Sequence, residues 1–341
     1  MQALAKIFVI FFILLPTTSA FGQDIHYSQY FNNPLILNPA ETGNFEGDWR
    51  GIANYRNQWS SLGIPFKTLS ASYDQQLYYK KYHFSPGISV LTDNSGNSLL
   101  KINMIYASCA YHQVINKNSL SFGIQLGLVL KNIDFGKLTF PDEFDISTPD
   151  NLFNPETKPT SVIGNDNVTF LDVNIGAAWK RKINRYEPEV GISFFHLNNP
   201  KESFFDDKEA RRPIRSTLYA AVKTELSPTI YVKPGILLFS LRGSSDMMMG
   251  SQIGYKVPGN SFNVSEAYGG IYLRNGIFRE ADAMMVLLGA QVHSLNINIS
   301  YDINVSSLSS YTNHRGAIEI SLIFRSISTV IKTFTIPCER I

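Results

Sequence analysis

The sequence predicts an all-β protein, an antiparallel up-and-down transmembrane β-barrel of the outer-membrane type with about 14 strands. Three observations carry this prediction. Strand-length segments of alternating apolar and polar residues run almost without a break from Trp49 to Arg325. A secretion signal precedes them, and short and long connections alternate along the chain, as they do in bacterial outer-membrane barrels.

The alternation is clearest in the segment 119–130. Every even-numbered residue from Leu120 to Leu130 is large and apolar, whereas the opposite row contains small or polar residues such as Ser121 and Gln125. A strand points successive side chains to opposite faces, so one face of this segment is apolar and the other is polar or close-packed. So long a polar row makes a poor protein core, but it suits the lumen of a barrel whose outer face meets lipid.

The N-terminus has the features of a secretory signal peptide, residues 1–22. Lys6 supplies a positive charge, Ile7–Leu15 is apolar, and small residues follow, which predicts cleavage after Ala20 or Gly22. The apolar run is too short for a permanent helical span, which needs about 20 residues. An uncleaved short anchor is the alternative interpretation.

The composition favours a membrane barrel over a soluble domain. Charged residues make up 17% of the chain, against about 25% in ordinary soluble domains. Aromatic residues make up 13%, and membrane barrels collect aromatic side chains at their rims. The formal net charge of +2 gives no electrostatic footprint for a nucleic-acid partner. After the signal no apolar run approaches the length of a helical span, so any crossing must be made by strands.

Runs of alternation bounded by turn residues predict fourteen strands. They lie near 49–58, 66–78, 83–93, 99–114, 119–131, 168–180, 187–197, 214–226, 229–241, 247–257, 264–275, 282–292, 294–305 and 315–326. If the first strand runs outward, the even-numbered connections should be the short periplasmic turns, and they are short. The two longest connections, Asn132–Asn167 and Asn198–Pro213, are both odd-numbered.

The chain therefore divides into a signal peptide (1–22), an N-terminal segment (23–48), a barrel (49–326) and a C-terminal tail (327–341). The N-terminal segment is rich in Asn and Pro and cannot form a regular strand, because proline lacks the N–H that strand pairing needs. We expect it to plug the lumen, to cover the periplasmic mouth or to contact a partner. The candidate plug residues are Gln29, Tyr30, Asn33, Pro34, Asn38 and Pro39.

No motif predicts catalysis, a cofactor or a metal site. The six histidines are scattered, and neither a phosphate-binding loop nor a nucleophile elbow is present in the sequence. A turn between two predicted strands carries the cations Arg181, Lys182 and Arg185. This turn is a candidate docking site for an acidic periplasmic partner, although cations are also ordinary residues for a solvated turn. Whether Cys109 and Cys338 pair stays open.

Several sequence blocks resemble the PorP/SprF family of type IX secretion and gliding-motility membrane proteins. The N-terminal block Gln23–Ala40 carries the resemblance, with an Arg-x-Gln-Trp motif at Arg56–Trp59. Supporting pieces are Ser70–Asp74, His196–Pro200 and Ser300–Asp302. The resemblance implies a non-enzymatic outer-membrane protein of Bacteroidota-type bacteria. Its implied partners are the lipid bilayer, periplasmic secretion-ring and anchoring proteins, and a secreted cargo or adhesin.

These observations favour a secretion-system component that anchors cargo proteins or helps to export and present them at the cell surface. The alternative is a passive transport pore, porin-like or for fatty-acid uptake, in which the same polar lumen passes a solute. A pore conducts ions on its own, whereas a secretion anchor co-purifies with other envelope proteins.

Overall fold

A computed structural model describes residues 24–60, 65–80, 82–96, 99–134, 165–242, 244–259, 264–276, 281–307 and 309–326. The predicted signal peptide and the predicted C-terminal tail lie outside the described residues. The first five strands are β1 (Trp49–Gln58), β2 (Phe66–Gln75 and Leu77–Tyr79), β3 (Tyr82–Ser95), β4 (Leu100–Ile115) and β5 (Asn118–Ile133). The next five are β6 (Asn167–Arg181), β7 (Tyr186–Phe195), β8 (Arg215–Glu225), β9 (Ile230–Leu241) and β10 (Ser244–Lys256). The last four are β11 (Val264–Gly276), β12 (Ala281–Val292), β13 (Leu295–Asn304) and β14 (Arg315–Arg325).

These strands form one closed antiparallel sheet. Each strand pairs with its neighbours in sequence, and β1 pairs with both β2 and β14, which closes the ring. At the closing seam the rings of Trp49 and Phe324 stack with centroids 5.2 Å apart. The predicted fold class, a barrel of 14 antiparallel strands, is confirmed. Among the described residues, no helix has the length and apolar character needed to span a bilayer.

The two faces of the barrel differ as the alternation predicts. On β5, Ile124 and Leu126 are each 60% exposed on the outer face, whereas Gln125 between them is 2% exposed. On β13, Asn298 and Ser300 are buried inside and Ile299 lies outside. Because large apolar side chains cover the outer surface and polar ones face inward, the barrel is built for a lipid surrounding.

Two details of the predicted strands differ from the structure. The second strand is interrupted at Gln76, whose backbone N–H donates to the Asp48 carbonyl at 2.8 Å instead of joining the ladder. Its side chain also donates to the Gly43 carbonyl at 3.0 Å, so the N-terminal segment takes this residue out of the strand. The predicted seventh strand ends at Phe195 because His196 has a left-handed backbone with φ of 61°.

The connections define two mouths of the barrel. One end of the barrel carries the connections 116–117, 182–185, 226–229 and 293–294, and we call it the short-turn mouth. The opposite end carries the connections 134–166, 196–214 and 305–314, and we call it the long-loop mouth. The last of these contains a short helix, Ser309–Thr312. Three other connections at the long-loop mouth are also short, 96–99, 242–243 and 277–280. The alternation of connection lengths therefore holds for only part of the barrel.

The lumen is not uniformly polar. Val129, on the inner row of β5, is fully buried in an apolar cluster with Met104 and Phe170. Leu287 of β12 is equally buried in a second cluster with Met248 and Met285. The strand alternation turns these apolar side chains inward, and the N-terminal segment buries them there, as shown below.

We expect a charge on the outer face to destabilise the barrel most at the middle of a strand. Leu126 lies at the centre of β5 and faces outward, so Leu126→Arg should cost about 2–4 kcal/mol of unfolding free energy in lipid. Ile115 is 50% exposed on the outer row at the end of β4, and Ile115→Arg should cost about 1 kcal/mol or less, because it lies near the interface. Guanidinium unfolding in phospholipid vesicles measures both costs. Equal costs at the two positions would contradict a lipid-facing outer surface.

Candidate functional site

The candidate functional site is the lumen, which residues 24–48 occupy from one mouth to the other. We call these residues the luminal segment. Asp24 lies at the long-loop mouth, where it contacts residues of the connection 196–214. Gly43 lies towards the short-turn mouth, where its N–H donates to Asp74 of β2 at 2.7 Å. Because β1 starts at Trp49, directly after the segment, the chain first threads the lumen and then turns back into the wall.

The two Asn-Pro pairs explain why the luminal segment forms turns instead of a strand. Pro34 begins a helical turn, Pro34–Leu37, and Pro39 begins a second, Pro39–Glu41. Proline is well suited to the first position of a helical turn, where its missing N–H would have no partner. The side chain of Asn38 caps the second turn by accepting from the Ala40 N–H at 2.8 Å. The segment is therefore compact, and its side chains and free backbone groups can bond to the wall.

A glutamate of the wall holds the first part of the segment by its backbone. The Glu319 carboxylate of β14 accepts from the N–H groups of Ser28 at 2.7 Å and Gln29 at 2.8 Å. The same carboxylate pairs with Arg56 of β1. The Gln29 side chain donates to the Ser300 hydroxyl at 2.8 Å. Glu319, Gln29 and Arg56 are all buried, so these charge-assisted bonds replace the water that the groups lose.

A second carboxylate, Asp302 of β13, extends this anchor. It accepts from the Ser28 hydroxyl at 2.6 Å and pairs with Arg56 at 3.2 Å and Arg274 at 3.3 Å. Two residues of the luminal segment are thus held by side chains of four strands, β1, β11, β13 and β14. A buried charge is tolerated when it is paired and hydrogen-bonded, and here the segment supplies part of that pairing.

Asp24 forms a latch at the long-loop mouth. Its carboxylate pairs with Arg212, with Arg215 at 3.0 Å and with His196 at 2.9 Å. We call these four residues the Asp24 latch. Burial alone raises the pKa of Asp24, but Arg212 and Arg215 outweigh that effect and hold the pKa well below its ordinary value of 3.8. The latch is therefore charged at neutral pH.

Small residues of the wall let the middle of the segment approach closely. Asn38 donates to the carbonyls of Ala177 at 3.1 Å and Ile192 at 3.2 Å. A Cβ added at Gly176 would lie 1.8 Å from the Asn38 side-chain oxygen, and one at Gly123 would lie 2.2 Å from the Pro39 carbonyl carbon. These two glycines are register partners on β5 and β6. Any larger residue there would displace the second helical turn.

Two tyrosines anchor the segment in the apolar clusters of the lumen. Tyr27 packs in the cluster that contains Val129, and its hydroxyl donates to Ser70 at 2.9 Å. Tyr30 packs in the cluster that contains Leu287 and lies edge-to-face on Tyr272, with centroids 6.4 Å apart. Burial of these rings adds a hydrophobic contribution to the polar anchors.

The structure brings the six candidate plug residues together inside the lumen. Gln29, Tyr30, Asn38 and Pro39 make the contacts given above, Pro34 starts a turn, and Asn33 accepts from Asn54 at 2.5 Å. The structure places them there, and their role in closing the barrel stays a proposal.

The three cations of the candidate docking turn lie at the short-turn mouth, apart from the luminal segment. Lys182 pairs with Glu187 at 2.8 Å, and Arg185 donates to the Tyr186 hydroxyl at 2.9 Å. The Arg181 Nε is buried and has no hydrogen-bond partner among the described residues. The turn thus has cationic groups that no neighbouring carboxylate neutralises.

Sequence reasoning missed the Asp24 latch and the Glu319 anchor. Their members are separated by up to 291 positions in the chain, and no local spacing connects them. The sequence does place charges such as Asp302 and Glu319 on inward rows, and a charge in a barrel lumen needs a partner. These charges are the sequence signal that could have indicated the two sites. Across the described ranges, no group of three or more potential ligands is placed to hold a metal ion.

The fold and the site together define an outer-membrane β-barrel whose lumen is occupied by its own N-terminal segment. The family model for the type IX secretion system membrane protein PorP/SprF matches residues 19–324. The chain belongs to this family, as the sequence blocks indicated. It is therefore a membrane-embedded barrel of a secretion system, and its partners include the lipid bilayer and the secretion machinery.

Solved structures support the fold alone. The toluene transporter TbuX of Ralstonia pickettii is 9% identical with a TM-score of 0.50, and the match covers 86% of this chain and 93% of that one. A mutant of the monoaromatic hydrocarbon channel TodX is 10% identical with a TM-score of 0.50 and the same coverage. No curated protein matches the chain at a significant level.

We expect Asp24→Asn to release the first residues of the luminal segment. The substitution leaves the buried Arg215 without its carboxylate and Arg212 with only Glu202, at 3.4 Å. Breaking a buried pair of this kind costs about 3–5 kcal/mol. Hydrogen-exchange mass spectrometry should show faster exchange in residues 24–33 at neutral pH, with unchanged exchange in the strands. Asp206→Asn is the matched control, because Asp206 pairs with Lys201 at the surface. Equal protection in the Asp24 variant and the wild type would show that the latch does not hold the segment.

Proposed function

We propose that this barrel is a non-enzymatic outer-membrane component of the type IX secretion and gliding-motility machinery. In this proposal it anchors cargo proteins such as adhesins, or helps to export and present them, through contacts with periplasmic and secreted partners. The observation that carries the proposal is the filled lumen, since the luminal segment bonds to both ends of the barrel and to strands on all sides. A barrel filled by its own chain is better suited to binding other proteins than to passing a solute.

The orientation in the membrane follows from the connections. Short turns of outer-membrane barrels face the periplasm and longer loops face outward. The turn with Arg181, Lys182 and Arg185 then faces the periplasm, where a basic surface attracts acidic partners. The connection 196–214 then faces outward, where a secreted partner would meet it. The signal peptide predicted at residues 1–22 fits this route to the outer membrane.

A passive transport pore is the second candidate. The solved neighbours include channels, and the polar inner rows of the wall would suit a solute path. However, Asn38 and Pro39 lie directly against the wall glycines Gly123 and Gly176, and the Asp24 latch holds the start of the segment at the long-loop mouth. These contacts support our proposal of a barrel that is closed at rest, in which a solute would pass only after they break.

We expect the purified barrel to conduct poorly in a planar bilayer until the luminal segment is loosened. Replacing Asn33-Pro34 and Asn38-Pro39 with Gly-Ser pairs removes both turn-starting prolines and the Asn38 contacts, and should raise single-channel conductance. Changing Ser227-Pro228 to Gly-Ser, in a turn outside the lumen, should leave conductance unchanged. A variant that stays as closed as the wild type would rule out the plugging role. A wild type that conducts like an open pore would favour the transport alternative.

The secretion role is tested in cells. Deletion of the gene should deplete the medium and cell surface of exported cargo, and affinity purification from native membranes should recover other envelope proteins. Normal export by the deletion strain, together with purification of the barrel alone, would reject the proposal.

We expect the basic turn to contribute to the recovery of periplasmic partners in affinity purification. Changing Arg181, Lys182 and Arg185 together to Glu should reduce the recovery of periplasmic partners without affecting membrane insertion, because it reverses the charge of the rim. The matched control changes Lys201, Lys208 and Arg211 to Glu, which are three cations of the opposite mouth. If both triple variants recover the same partners as the wild type, the turn is an ordinary solvated loop.

A further inference from the structure

Strand β6 has an unpaired edge at the long-loop mouth. On one side it pairs with β5 over its whole length, Asn167–Arg181. On the other side it pairs with β7 only over residues 175–180. Strand β7 ends at Phe195, where the left-handed backbone of His196 turns the chain towards the Asp24 latch. Among the described residues, the first part of β6 therefore has no neighbouring strand on that side.

The seam between β6 and β7 ends at a defined point. The Leu197 N–H still donates to the Val173 carbonyl at 2.9 Å. The side-chain amide of Asn198 then takes the place of a strand residue. Its oxygen accepts from the Val173 N–H at 3.2 Å, and its nitrogen donates to the Leu171 carbonyl at 2.7 Å. One side chain thus closes the seam where β7 leaves it.

Beyond this point, three main-chain groups of β6 are left without a partner. Successive strand residues direct their main-chain groups to opposite sides, and Val173 directs its groups away from β5. Thr169 and Leu171 do the same, because each lies an even number of residues from Val173. Within the described ranges, the Leu171 N–H and both main-chain groups of Thr169 have no hydrogen-bond partner. We call residues 167–171 the β6 edge, since unpaired groups in a row are a template for a further strand.

The β6 edge is held rigidly and lacks the usual protection of an exposed edge. The inner side chains Val168 and Phe170 are buried in an apolar cluster of the lumen. The outer side chains Thr169 and Leu171 are exposed, Leu171 by 67%. No lysine, proline or charged residue lies between Asn167 and Leu171, although exposed edges normally carry such groups to prevent pairing. Because the strand is already ordered, a partner that adds to it loses less entropy on binding.

The β6 edge lies beyond the part of the wall that crosses the bilayer. A tilted strand crosses the hydrocarbon with about 9–11 residues, and β7 has 10 residues whereas β6 has 15. The β6 residues past the end of β7 are therefore not needed for the crossing. Unpaired main-chain groups also cannot face lipid. In the orientation given under the proposed function, the β6 edge lies at the cell surface.

We propose that the β6 edge binds an extended segment of a secreted protein as an added β-strand. The proposal rests on the proposed function, which places this edge outside the cell, and it names the form in which a secreted partner is bound. Five residues span about 17 Å of strand. Main-chain donors and acceptors at strand spacing select an extended polypeptide, and the exposed Leu171 favours an apolar or β-branched side chain opposite it.

The test measures the binding of a strand-forming peptide to the full-length protein in detergent. The probe is a fluorescent seven-residue peptide of alternating valine and threonine, and its binding raises the anisotropy. Thr169→Pro removes an edge N–H but keeps the ladder with β5, because the Thr169 N–H points away from β5. This variant should weaken binding roughly tenfold or more, through the lost hydrogen bond and the proline ring on the edge. Thr169→Val keeps the main chain and is the matched control, which should bind like the wild type. Heat-modifiable gel migration confirms that both variants are folded.

A methylated peptide tests whether the main chain makes the contact. The same sequence with every main-chain nitrogen methylated keeps the side chains but has no N–H to donate, so its binding should be lost. Hydrogen-exchange mass spectrometry should show fast exchange in the β6 edge of the free protein. The exchange should slow when the unmodified probe is bound.

Four results would overturn the proposal. Thr169→Pro could bind the probe as tightly as the wild type, or the methylated peptide could bind equally well. The β6 edge could be protected from exchange in the free protein, which would show that the chain itself already covers it. Finally, the wild type could form dimers in detergent that Thr169→Pro dissociates, which would assign the edge to a second copy.

Experiments in cells separate this proposal from the proposed function. Normal export and display of cargo by the deletion strain would reject the secretion role and leave the peptide result standing. Conversely, the deletion strain could lose surface cargo while a Thr169→Pro strain displays it normally. That result would reject the β6 edge as the cargo contact and keep the secretion role.

Discussion

The structure depends on the pairing between the Glu319 carboxylate and two consecutive N–H groups of the luminal segment. Closing the sheet places Glu319, Arg56 and Asp302 inside the lumen, where the packed segment leaves no bulk water to solvate them. Each such group left without a partner would cost about 1–3 kcal/mol or more. The backbone N–H groups of Ser28 and Gln29 donate to Glu319, and the Ser28 hydroxyl donates to Asp302 and accepts from Arg56. The wall and the segment therefore stabilise one another, and neither set of polar groups is satisfied alone.

One continuous element connects the two mouths. The luminal segment carries the Asp24 latch at the long-loop mouth, and seven residues later its Phe31 lines a cavity of about 340 Å³ that opens at the short-turn mouth. The connection 196–214 contributes Arg212 to the latch, so a contact on that loop acts on the same element that forms the inner end of the cavity. Ligands at two sites are coupled when they bias a shared two-state element. The luminal segment is the element that contacts at the two mouths share.

The sequence predicted the wall well because the strand period is local. Alternation over a dozen residues identifies β5 and its outer row without knowledge of its neighbours. It could not predict that Val129 and Leu287 are buried in apolar clusters inside the lumen, because this burial depends on Tyr27 and Tyr30, which lie far away in the chain. The Asn-Pro pairs did identify the segment that cannot be a strand. Its partners, however, were not predictable, since the latch and the Glu319 anchor join residues from opposite ends of the sequence.

The way the segment is held also bears on how the barrel could open. Three different kinds of contact fix it: the charged latch, the backbone bonds to Glu319 and the burial of Tyr27 and Tyr30. They lie along one short chain, so opening the lumen requires most of them to break together. A ligand can shift such an equilibrium only by its differential affinity for the two states. A dissolved nutrient makes few contacts and supplies little of that free energy, whereas a protein partner that binds a loop or the periplasmic mouth supplies much more. If the segment plugs the barrel as we propose, such a barrel is better suited to respond to proteins than to pass solutes.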